Sequence, residues 1–145
     1  MANPFDFSSG AVLTAAQLNA IGNKDDVTWS PTVNWSGSIG TSAYAQINDV
    51  IVIQFRFTLD ATPSGTFEIT SAPVNSAFNV AGISGNGSAI DQSADDVYAI
   101  APNVQTSNKI RLTTVSHNDF ATVTSSAPFS WASGDSIRFL MVYLA

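Results

Sequence analysis

The chain has no cysteine, one histidine (His117), one glutamate (Glu68) and two lysines (Lys24 and Lys109). Each shortage removes a class of chemistry. Without cysteine there is no disulfide, no thiolate nucleophile and no sulfur ligand for a metal. One histidine and no cysteine exclude a structural zinc site. Five basic residues against a formal charge of −6 leave too little positive charge to meet a phosphate backbone, which argues against nucleic acid as a partner. No run approaches the roughly 20 apolar residues of a membrane helix. The opening MANPFDFSSG has neither the basic region nor the apolar core of a signal peptide. The expectation is a protein made in a cytoplasm, with no membrane partner.

What is present is apolar and hydroxylated. Apolar residues are 45% of the 145 positions, an ordinary globular share, whereas charged residues are only 11%, less than half the usual ~25%. Nineteen serines and thirteen threonines fill the gap. Such a surface suits short strands and tight loops. Scarce lysine leaves strand edges poorly guarded, which is tolerable where an assembly covers them.

One helix signal stands out, at residues 12–22 (VLTAAQLNAIG). Thr14 and Gln17 have capping-box spacing, Leu13 and Leu18 fit a hydrophobic staple, and Gly22 fits the stop. About two turns are too few to be stable alone, so the helix must dock on something. With Phe5 and Phe7 ahead of it, residues 1–26 read as an arm. That arm either inserts into a neighbouring protein or closes over the chain's own β domain, residues 27–145.

From Val27 onward the pattern is β. Residues 50–59 alternate with Ile51, Ile53, Phe55, Phe57 and Leu59 on one face. Residues 136–144 alternate with Ile137, Phe139, Met141 and Tyr143. Their opposite faces are mirror images, one running from Val50 and Val52 to Gln54 and Arg56, the other from Ser136 and Arg138 to Leu140, Val142 and Leu144. Antiparallel pairing would gather Val50, Val52, Leu140, Val142 and Leu144 into a second apolar patch away from the core. The expectation is an oligomer interface there, the alternative being cover by the arm. Between these strands, residues 77–83 read as a strand and Gly85-Asn86-Gly87 as a turn. Residues 102–108 read as a loop, and residues 120–124 as a short strand. Eight to ten short strands with regular turn signals predict an all-β antiparallel sandwich, jelly-roll-like in type.

No catalytic pattern emerges. Ser116, His117 and Asp119 are too close in sequence to converge as a triad. Asp91, Asp95 and Asp96 do not match a calcium loop, and no cofactor is expected. Glu68 would need an aspartate partner to cleave a glycoside. Trp29, Trp35, Tyr44, Trp131 and Tyr143 suit either sugar stacking or a core.

The run VLTAAQLNAIG, followed by Trp29, Pro31, Thr32 and Trp35 and then by Tyr44 and Val50, resembles a layout found in tailed-bacteriophage virion structural proteins. There, a short VLTAAxLN helix precedes a W-x-P-T-x-x-W strand. The likeness covers about the first 60 residues. It implies a virion location, a homotrimer, and docking on a major capsid protein or a tail component. The absence of a shaft, repeat or coiled coil points away from a long fibre. The expected function is therefore capsid decoration, with Phe5, Phe7, Leu13, Leu18 and Ile21 as the docking arm. The rival is a short tail-fibre or receptor-binding tip that meets host glycan through loops near residues 84–88 and 116–119. A third possibility is a small glycan-cleaving enzyme built on Glu68.

Overall fold

A computed structural model describes residues 27–47, 49–73, 85–105, 108–115 and 120–144. Among these residues every regular element is a strand: β1 (Val27–Thr28), β2 (Gly37–Ile47), β3 (Val50–Leu59), β4 (Glu68–Ile69), β5 (Gly85–Asp91), β6 (Asp96–Gln105), β7 (Lys109–Thr114) and β8 (Ser136–Leu144). The helix expected at residues 12–22, the strand expected at 77–83 and the 116–119 cluster lie outside the described residues.

All eight strands belong to one antiparallel sheet in the order β1-β2-β3-β8-β5-β6-β7-β4. Strands β5, β6 and β7 follow one another as neighbours, and β4 lies beside β7, a Greek-key order. Strand β8 inserts between β3 and β5, so the last strand ties the two halves of the sheet together. The sheet is curled like half a barrel. Residues 27–35 span its open side: β1 pairs with β2, Val33 bridges Ile69 of β4, and the Thr70 N–H donates to the Thr32 carbonyl at 2.9 Å.

The core follows from period-2 alternation. In β3, Ile51, Ile53, Phe55, Phe57 and Leu59 are buried, and in β8, Ile137, Phe139, Met141 and Tyr143 are buried beside them. Burying each such side chain stabilises by about 1.5–3 kcal/mol. Phe55 stacks on Phe139 across the strand pair with ring centroids 5.0 Å apart. Contacts from Phe57 to Phe67 at 6.0 Å and from Trp35 to Trp131 at 5.4 Å carry the packing across the curl. Asp135, itself buried, holds the entry to β8 by accepting from the N–H groups of Gln92 at 2.9 Å and Ala132 at 2.7 Å.

Three local expectations need correction. Gly85-Asn86-Gly87 is not a turn but the start of β5. A Cβ on Gly87 would lie 2.4 Å from the Arg138 carbonyl oxygen and 2.6 Å from Phe139 Cβ. Glycine is required there because β8 approaches too closely for a side chain. Residues 102–105, read as loop because of Pro102, continue β6. The β5 pairing ends at Ile100, so the missing N–H of Pro102 breaks no bond to β5. Residues 120–124 form no strand, only isolated bridges from Thr122 to Thr113 and from Thr124 to Thr66 and Ala127.

Candidate functional site

The pairing of β3 with β8 matches the register that their mirrored patterns require: Val50 opposes Leu144, Val52 opposes Val142, and Gln54 opposes Leu140. Residues opposite one another share a face, so the outer surface can be read in rows. Ile47, Val50 and Leu144 form the first row, and Ala45, Val52 and Val142 the second. Leu140, Val142 and Leu144 are 49%, 44% and 45% exposed, and Ile47 is 60% exposed. Val50 and Val52 are half-buried between them. Five of these side chains are the ones expected from sequence; Ile47 extends the patch onto β2. The docking-arm residues Phe5, Phe7, Leu13, Leu18 and Ile21 lie outside the described residues.

The next two rows turn polar. Ala43, Gln54, Leu140 and Asn86 form the third, and Thr41, Arg56, Arg138 and Ser88 the fourth. All of these but Ala43 line an open groove of about 540 Å³. Arg56 and Arg138 are direct cross-strand partners in the register and both are exposed. Neither has an ion pair or a side-chain hydrogen bond among the described residues. The sheet bulges between Ile39 and Thr41, and the Arg56 stem lies over Gly40, its Cδ 3.5 Å from where a Cβ would stand. Sequence reasoning passed over this pair. The signal was present, because each arginine sits at the polar end of one of the two mirrored strands.

The opposite half of the sheet treats its cations differently. Glu68 on β4 accepts from Lys109 Nζ at 3.1 Å and from Arg111 Nε at 2.6 Å. The hydrogen bonds from Arg111 and then Lys109 hold its carboxyl below the ordinary value of 4.5. A glycosidase acid needs the reverse, a raised value that keeps its proton near neutrality. Glu68 joins β4 to β7 as the shared acceptor of two cations, and its lowered pKa fits an ionised carboxylate rather than a general acid.

Asp91 is likewise occupied by its own turn. One carboxylate oxygen accepts from the Ser93 N–H at 3.0 Å, the Ser93 hydroxyl at 2.7 Å and the Ala94 N–H at 3.1 Å. Those bonds lower its pKa, the Ser93 hydroxyl contributing most. Among the described residues no three His, Cys, Asp or Glu side chains gather as a metal site. Of the aromatics weighed for sugar stacking, Trp29, Trp35, Trp131 and Tyr143 are buried in the core. Tyr44 is partly buried and packs against the core. The groove on the outer face contains no aromatic ring turned to solvent; its phenylalanines, Phe55 and Phe139, are core residues.

Comparison of the chain with protein-family models, curated proteins and solved structures finds no match.

Proposed function

We propose that the protein is a structural component of a bacteriophage virion, in the first place a capsid decoration protein. In this reading residues 1–26 dock on the shell through Phe5, Phe7, Leu13, Leu18 and Ile21. The β domain, residues 27–145, self-associates as a trimer through Val50, Val52, Leu140, Val142 and Leu144. The observation that supports it is the exposed apolar patch on the outer face of β2, β3 and β8. An apolar surface of that kind, centred on adjacent strands rather than scattered, is the mark of a buried contact in the working assembly. Cement of this sort acts by removing apolar area from water, about 25 cal/mol per Å² before the cost of association. We further infer that the two halves of the curled sheet serve as the two layers of a jelly-roll-like sandwich.

Two measurements test the reading. Sedimentation velocity on the full chain is expected to give a trimer, and Val142→Asp to give a folded monomer. An unchanged sedimentation coefficient for that variant would remove the patch from the interface. Gold-labelled antibody on phage particles from a lysate containing the protein is expected to decorate the head evenly. Label confined to the tail would transfer the protein to a receptor-binding tip, and unlabelled particles would remove it from the virion.

A further inference from the structure

We propose that the groove over Arg56 and Arg138 binds an acidic saccharide, a sugar unit carrying a carboxylate. The site does not depend on the virion assignment. Arg56 and Arg138 are direct cross-strand partners that line one groove, and like charges at such positions destabilise a sheet. A bound carboxylate reverses the sign, since each guanidinium offers a planar fork of donors matched to its two oxygens. The chain does supply that kind of partner elsewhere, where Glu68 serves both Lys109 and Arg111. Over Arg56 and Arg138 no carboxylate is supplied by the described residues.

The surroundings define the rest of the ligand. Thr41 and Ser88 flank the two arginines in their row, and Gln54 and Asn86 stand in the row beside them. Hydroxyls and amides both donate and accept, which suits sugar hydroxyls and not a plain hydrocarbon. Four strands at about 4.8 Å spacing give a shelf ~14 Å wide, and two rows give it about 7 Å of depth. The groove volume of about 540 Å³ lies within the roughly 300–1,000 Å³ common to small-ligand sites. An extended peptide is less suited. Strands β3 and β8, which carry the two arginines, are each paired on both sides, leaving no backbone edge at the centre of the groove for an added strand.

Isothermal titration of the full chain with trigalacturonate, maltotriose and a hexa-aspartate peptide decides the matter. Trigalacturonate is expected to bind, with affinity about tenfold or more weaker in Arg56→Gln and in Arg138→Gln. Arg111→Gln removes the same charge from the other half of the sheet and is expected to bind as the parent does. Near-UV circular dichroism on each variant checks that the fold is retained. Equal binding of maltotriose would overturn the proposal, as would no binding of trigalacturonate. An equal loss in Arg111→Gln would reduce the effect to long-range charge and also overturn it. Tighter binding of the peptide would assign the groove to an acidic protein segment instead.

Discussion

Four of the five basic side chains sit on this one sheet, in two pairs that are treated in opposite ways. Lys109 and Arg111 share the single glutamate of the chain, whose carboxylate links β4 to β7. Arg56 and Arg138 oppose each other on β3 and β8 with no anion from the described residues. The contrast is not for want of acid, because the chain carries eleven carboxylates against five basic groups. It is a matter of placement. In one half of the sheet two cations share a carboxylate, and in the other two cations stand beside an apolar patch with none from the described residues. Cover follows the same division. In β6, residues from Ile100 to Val104 are buried on both faces, whereas β8 is buried on one face and exposed on the other. The open face of β8 is the one on which we propose that a partner docks.

The sharpest test of that division uses the two faces of β8. Ile137→Ala empties a fully buried position and is expected to cost about 2–5 kcal/mol, read as a fall in denaturation midpoint. Leu140→Ala, on the outer face, is expected to leave that midpoint nearly unchanged while weakening self-association. Equal losses would mean that both faces are core. Next in size is Gly87→Ala, which forces a Cβ onto the β8 backbone. A loss of about 1–3 kcal/mol is expected from the overlap, whereas a neutral result would mean that β5 can shift away from β8.

Glu68→Gln converts the neutralised pair into a copy of the exposed one. A loss of about 1 kcal/mol at pH 7 is expected, because the two cations remain partly open to water. The pH dependence has a definite sign. Glu68 has a lower pKa folded than unfolded, so its contribution is full above about 4.5 and fades as pH falls through the lower folded value. Urea denaturation at several pH values should show the stability difference between parent and variant shrinking toward acid. A difference that grows toward acid would reverse the assignment. The smallest effect is expected from Arg138→Gln, which relieves the like-charge contact and should raise the melting temperature slightly. A clear drop would reveal a partner for Arg138 within the chain.

Much of the fold was legible because β3 and β8 carry their burial in plain alternation. The pairing of the two could be read as well, since only the antiparallel register places both apolar outer halves together. Other parts were hidden for physical reasons. Gly85 and Gly87 carry a turn composition, yet they are glycine because of a close approach by β8, a long-range fact that local sequence does not contain. Pro102 signals a break, but a strand tolerates proline where the neighbouring pairing has already ended. The apolar half of the outer face could be found from pattern. The arginine pair was harder, because Arg56 and Arg138 are 82 positions apart and become a site only once strand register sets them opposite. Glu68 gave no hint of its partners, which come from β7.

All three tryptophans, Trp29, Trp35 and Trp131, lie in the core with exposures of 6%, 5% and 2%. The outer rows over β2, β3, β8 and β5 contain none. Intrinsic fluorescence is therefore blind to what docks on the outer face and sensitive to loss of the interior. A red shift in emission would report unfolding alone, so a variant that loses binding at constant emission has lost its contact surface and kept its fold.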